Sequence, residues 1–138
     1  TLFSAAHASN HFKDFKYYYF HNCIYEYVYE DIEMEKNIPT ARVLRDLDKD
    51  YRVIIVGDAA MAPYELTTVY GSIYYYHRNE TPGIEWLKRF KRHFRKIIWI
   101  NPVNKRYWNV TSTTMIQNIF KMHPLTLDGL DDAVKALV

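Results

Sequence analysis

The sequence predicts an α/β domain, a mostly parallel sheet with helices on both faces. Three observations carry this expectation. Two apolar runs, Val53-Ile54-Ile55-Val56 and Ile97-Ile98-Trp99-Ile100, show no polar alternation, as expected of strands buried on both faces. Each run is stopped by turn-forming residues, Gly57-Asp58 and Asn101-Pro102. Segments of helical period precede and follow them, and strand–helix alternation is the pattern of parallel strands joined by crossover helices. The run from Arg52 to Val56 organises the chain, because it leads straight into a carboxylate, Asp58. In open α/β sheets ligands sit outside the carboxyl ends of the strands.

The elements follow in order. Leu2 to Phe12 is Ala-rich and reads as a helix with Leu2, Phe3 and Ala6 inward. Lys16 to His21 contains Tyr17-Tyr18-Tyr19-Phe20, a strand run. Asn22-Cys23 breaks it. Ile24 to Tyr29 reads as a second strand, hairpin-linked to the first, with Tyr25, Tyr27 and Tyr29 on one face. An acidic linker, 30–37, leads through Ile38-Pro39-Thr40 into a helix over Ala41 to Leu47, its inward stripe Val43, Leu44 and Leu47. Asp48-Lys49-Asp50 connects to the central strand. After Pro63 comes a loop or short helix to Thr68, then a Tyr-rich segment from Tyr70 to Tyr76. Thr81-Pro82 reads as an N-cap followed by proline at the first helical position. That helix places Ile84, Leu87, Phe90 and Phe94 on one side. Thr111 or Ser112 caps a helix through Phe120, and Pro124-Leu125 is short and extended. Thr126 caps the last helix, with Leu127, Leu130, Val134 and Leu137 as its stripe.

Composition bounds the function. The chain of 138 residues is one domain's worth and long enough to bury a core. Its apolar half excludes a disordered protein. A net charge of +2 gives no argument for nucleic acid. The single cysteine, Cys23, excludes an internal disulfide framework and fits a reducing compartment. No stretch approaches the roughly 20 apolar residues of a membrane-spanning helix. Thirteen tyrosines suit half-exposed strands and interfaces. The chain opens without an initiator Met on a segment that already looks like helix interior, which reads as a piece of a longer protein.

Candidate chemistry is weighed against plainer roles. Asp58 can reach a metal, a phosphate-bound Mg²⁺ or a hydroxyl; the plainer role is to cap the next turn. Thr40 is an N-cap in the plain reading. In the functional one it shows a hydroxyl at the same sheet end as Asp58, where oxygen ligands from separate loops suit a hard cation such as Mg²⁺. His7 and His11, four apart on a helix, could share zinc, but position 8 is not Glu and no third ligand is evident. Cys23 near His21 suggests a thiol nucleophile without an orienting acid; a structural cysteine is the plainer role. The basic run Lys88, Arg89, Lys91, Arg92, Arg95 and Lys96 reads as the solvated face of an amphipathic helix, or as a hold for an anionic partner. No Gly-rich phosphate loop, nucleophile elbow or CxxC pair is present.

Several stretches in order carry a resemblance. They are Phe3-Ser4-Ala5-Ala6, Tyr18-Tyr19-Phe20-His21-Asn22-Cys23, Ile38-Pro39-Thr40, Val56-Gly57-Asp58-Ala59-Ala60-Met61-Ala62-Pro63-Tyr64-Glu65-Leu66, Trp86-Leu87, Trp99-Ile100-Asn101-Pro102, Tyr107-Trp108 and Pro124-Leu125-Thr126-Leu127-Asp128-Gly129-Leu130. Together they resemble the C-terminal part of a bacterial von Willebrand factor type A (VWA) domain protein of the CoxE-like group. The resemblance implies a Rossmann-like fold and a metal-ion-dependent adhesion site (MIDAS) for Mg²⁺ or Mn²⁺. In it Thr40 matches the second-loop threonine and Asp58 the third-loop aspartate. The family's first strand, with its Asp-x-Ser/Gly-x-Ser loop, is missing from this sequence, so the domain is expected to be N-terminally truncated and the metal held weakly. The resulting gap beside the Val53–Val56 strand could be closed by rearrangement or by a second copy, the latter giving a homodimer. The resemblance further implies a cytoplasmic protein–protein interaction module rather than an enzyme, with a MoxR-type AAA+ ATPase as partner and no nucleic acid or membrane. The alternative is an α/β hydrolase or phosphotransferase using Asp58 with His21, His77 or Cys23. It requires a convergent nucleophile, base and anion-binding donors, and the sequence offers only single candidates.

Overall fold

Residues 14–70 and 80–138 are described by the computed structural model. The expected helix over Leu2 to Phe12, with His7 and His11, lies outside them, as do His77 and most of the Tyr70–Tyr76 segment. In chain order the elements are β1 (Tyr27–Tyr29), β2 (Asn37–Pro39), α1 (Thr40–Asp46), β3 (Arg52–Val56), α2 (Pro63–Thr67), α3 (Gly83–His93), β4 (Lys96–Asn101), a 3-10 turn (Lys105–Tyr107), α4 (Thr111–Gln117), β5 (Met122–Pro124) and α5 (Leu127–Leu137).

β3, β4 and β5 form a parallel sheet in that order. Arg52 lies opposite Lys96 and Val56 opposite Ile100; Trp99 lies opposite Met122 and Asn101 opposite Pro124. Side chains alternate across this sheet. Ile55, Ile97 and Trp99 enter the larger core with Val43 and Leu47 next to and from α1, Leu87 and Phe90 from α3, and Ile116 from α4. Ile98 and Ile100 enter a second core with Ala133 and Leu137 of α5. The mixed α/β class, the parallel pairing and the helices on both faces are as the sequence predicts.

β3 is less buried than its unbroken apolar run predicts. Among the described residues it pairs only with β4 and is an edge strand. Ile55 is buried, but Val56 is 46% exposed. The reason is the path of α5. It starts beyond the carboxyl end of β5 and finishes near the start of β3, where Arg52 donates to the carbonyl of Leu137. This diagonal leaves the far end of β3 uncovered.

The N-terminal expectations are also corrected. β1 and β2 make a separate antiparallel pair, Val28 opposite Ile38, and β2 was not expected as a strand. The Lys16 to His21 strand reduces to an isolated bridge, Tyr19 with Tyr29, although the antiparallel hairpin direction holds. Asn22 adopts φ 58°, and Cys23 N–H donates to His21 O at 2.7 Å, so a three-residue turn cuts the run short. Tyr25 and Tyr29 are buried while Tyr27 is exposed, so the three do not form one common face.

Helix starts shift by one residue where cap side chains were expected. The capping positions of α1, α3 and α4 are Pro39, Pro82 and Val110, none with a side-chain bond. Thr126 caps α5 as expected, accepting from Gly129 N–H at 3.0 Å. The α5 stripe is corrected: Leu127 is 89% exposed and Val134 is exposed, and Leu130, Ala133 and Leu137 face in. A Cβ at position 129 would stand 2.0 Å from Pro124 O. The contact line of α5 therefore runs through Gly129 and Ala133, one turn apart, and Leu127 falls outside it. Among the described residues no helix is long and apolar enough to cross a membrane.

Candidate functional site at the carboxyl end of the sheet

The loop 57–62 leaves β3 and is tied down from behind by side chains of later elements. Trp99 Nε1 donates to Gly57 O at 2.8 Å. Gly57 permits this close approach, since a Cβ there would lie 3.1 Å from the Trp99 ring. Asn101 Nδ2 donates to Asp58 O at 2.9 Å. Ser112 Oγ and Thr113 Oγ1 both donate to Ala59 O, at 2.7 and 3.1 Å. Ser112 Oγ also accepts from Met61 N–H at 3.0 Å. Ala59 is held at φ 57°, a left-handed conformation that costs an alanine about 1–2 kcal/mol. Strain of this kind persists only where surrounding bonds enforce it, and it concentrates at functional sites.

The end of the loop is fixed by Glu65. Its Oε2 accepts from Ala62 N–H at 3.1 Å, at the start of α2. Ala62 has no side-chain oxygen to complete a capping box, and Glu65 N–H donates to the Ala62 carbonyl instead, at 2.9 Å. Glu65 Oε1 accepts from Asn22 Nδ2 at 3.1 Å, and Tyr25 donates its hydroxyl to Glu65 O at 3.0 Å. The buried carboxylate thus joins the loop to the segment before β1.

Asp58 is the charged side chain turned outward on this fixed loop. It is exposed, and its Oδ1 accepts from Ala60 N–H at 3.1 Å, the turn-capping bond that the plainer reading expects. Thr40 is placed differently. It is fully buried at the start of α1, and its hydroxyl donates to Tyr25 O at 2.5 Å. The expectation of a displayed Thr40 hydroxyl is therefore not met: the side chain completes the β1–β2 pair from inside. No hydrogen bond joins Thr40 to Asp58. Among the described residues no group of three or more His, Cys, Asp or Glu side chains is placed to hold a metal ion.

Other candidates resolve simply. Cys23 is 1% exposed, and burial pushes its thiol up to about 12. A thiol so held carries no thiolate at neutral pH and is a poor nucleophile. All six residues of the basic run are exposed. Lys88 pairs with Glu85 at 3.6 Å, Arg95 with Asp50 at 3.5 Å, and the Arg89 guanidinium lies 4.5 Å from the Trp86 ring centre.

Around Asp58 the same end of the sheet exposes apolar side chains. Tyr64 follows β3, Tyr107 and Val110 follow β4, and Leu125 and Leu127 follow β5, and all five are exposed. The Arg106 guanidinium lies 5.0 Å from the Tyr107 ring centre. Tyr and Arg are the residue types enriched in protein interfaces. Sequence reasoning found Asp58 but missed Ser112, Thr113, Asn101 and Glu65. Pro63 with Glu65 two residues on was a legible helix start; Ser112 read only as one of two alternative caps, with Thr111, and Thr113 drew no reading. Comparisons with protein-family models, with characterised proteins and with solved structures return no match for this chain.

Proposed function

We propose that this chain is a protein–protein interaction module of the von Willebrand factor type A kind, with Rossmann-like strand order in the intact domain. The observation that carries the reading is the Asp58 loop. Its carbonyls are bound from behind, its backbone is strained, and its carboxylate faces out among exposed apolar side chains at the carboxyl end of a parallel sheet. A pre-ordered loop loses little entropy on binding. The residue types fit a partner protein better than a small molecule, because the apolar groups are exposed.

Asp58 suits a Mg²⁺ or Mn²⁺ ion, which takes exposed carboxylate oxygens. Thr40 supports this only in part, because its oxygen is enclosed and its proton is given to Tyr25. Two residues fall short of the six-oxygen shell of Mg²⁺, so this chain binds the ion weakly and through Asp58. A cytoplasmic location and a MoxR-type AAA+ ATPase as partner rest on the resemblance of the quoted stretches. A second copy docked along β3 is the self-association this reading allows.

The test is Mn²⁺ titration followed by line broadening of amide resonances. Selective broadening at residues 58–60, reversed by excess Mg²⁺ and lost in Asp58→Asn, is the expected result. Uniform broadening, or broadening that Asp58→Asn leaves unchanged, would remove the ion from the reading and leave Asp58 as a turn cap.

A further inference from the structure

The second core holds a polar group that no role described above uses. His123 is the middle residue of β5 and is 3% exposed. It lies directly opposite Ile100, so it shares the sheet face that Ile100 presents to α5. Its Nε2 is buried and has no hydrogen-bond partner among the described residues. Helix α5 comes down on this strand with no room to spare, as the 2.0 Å approach at Gly129 shows. A neutral imidazole can leave one nitrogen unpaired at modest cost. An imidazolium carries N–H on both nitrogens and a charge, and the buried Nε2–H would have no acceptor.

We propose that His123 is an acid-sensitive latch that docks the C-terminal helix α5 on the sheet when neutral and releases it when protonated. The charged groups around it do not rescue the cation. Lys121, immediately before β5, opposes protonation; Asp132, on α5, favours it; and β4 presents Ile100, which is uncharged. Burial, with Lys121 reinforcing it and Asp132 opposing, holds the imidazole below its ordinary value of 6.5. The sign follows from linkage. The open form takes up a proton more readily than the docked form, so docking is complete above about pH 6.5 and weakens as the pH falls toward the docked-state value. Leu125 and Leu127 stand at the start of α5, so its release also dismantles one side of the exposed surface around Asp58. That last consequence rests on the proposed binding role; the latch does not.

Amide hydrogen exchange of the whole chain between pH 7.5 and 5.5, corrected for intrinsic rates, reads the latch. The opening equilibrium of α5 amides is expected to rise about tenfold per pH unit between the open-state and docked-state values, with β4 amides rising less. His123→Phe should flatten that dependence. Equal changes in α5 and β4, no change in α5, or an undiminished pH dependence in His123→Phe would overturn the proposal. Should His123→Phe not fold, ring-proton titration of the wild-type chain decides. A His123 midpoint below 6.5 supports the latch, and one at or above it sinks it.

Discussion

Ser112 does more for the Asp58 loop than its neighbour Thr113, and the hydrogen bonds say why. Ser112→Ala leaves Met61 N–H buried with no acceptor, while Ala59 O keeps Thr113 as a donor. Thr113→Ala orphans nothing, because Ala59 O keeps Ser112. An unsatisfied buried donor costs about 1–3 kcal/mol, and a redundant hydrogen bond about 0.5–1.5. Urea denaturation should therefore rank Ser112→Ala as the more destabilising, and the opposite ranking would show that the loop is held some other way. Asp58 was legible because a carboxylate directly after a buried strand is a local pattern. Ser112 was not, because its partners lie more than fifty residues back, at Ala59 and Met61. A hydroxyl near a helix start has a cheap local use as a cap, and only the folded chain shows that this one serves a distant loop.

At the scale of elements the same division recurs. β4 was readable because five successive residues, Ile97 to Asn101, are buried, which leaves no ambiguity of face. β2 was not, since Asn37-Ile38-Pro39 has neither length nor alternation and becomes a strand only by pairing with β1. For α5 the cap at Thr126 was legible, but its inward face was set by an absence of side chain. Leu127, Leu130, Val134 and Leu137 make a fair helical stripe, yet the contact passes through Gly129. Gly129→Ala tests that account. Replacing glycine by alanine in a helix ordinarily gains about 1 kcal/mol. Here the new Cβ meets backbone, at Pro124 O, which cannot rotate aside as a side-chain end can. Overpacking costs typically 1–3 kcal/mol, and a 2.0 Å approach belongs at the upper end, so a net loss of about 2 kcal/mol is expected. Thermal melting reads this directly. A variant as stable as the wild type would mean that α5 sits farther from β5 than described.

For the molecule as a whole, the decisive feature is that the two sheets do not share a ladder. The segment before β1 approaches the parallel sheet through side chains: the Tyr51 hydroxyl, just before β3, donates to Asp14 Oδ2 at 2.9 Å, and Phe20 meets the ring of Trp99 in β4 edge-on. In a parallel strand alternate residues bond to opposite sides. Gly57 N–H reaches Ile100 O, so Ile54 and Val56 turn their backbone groups away from β4. Natural edge strands are blunted by charge, proline or bulges. β3 carries Arg52 at its start and no charge from Val53 to Val56. An edge of this kind pairs with another strand when one is supplied, and a second copy of the chain supplies one. Sedimentation of the wild-type chain should then show a mean mass that rises with concentration. Val56→Lys places a charge on an already exposed side chain, so it should hold the protein monomeric with little change in stability. A wild type that stays monomeric at every concentration, or a Val56→Lys variant that associates equally well, would exclude β3 as the contact. In the second case, the exposed apolar surface around Asp58 becomes the next face to test, with Tyr107→Ser as the probe.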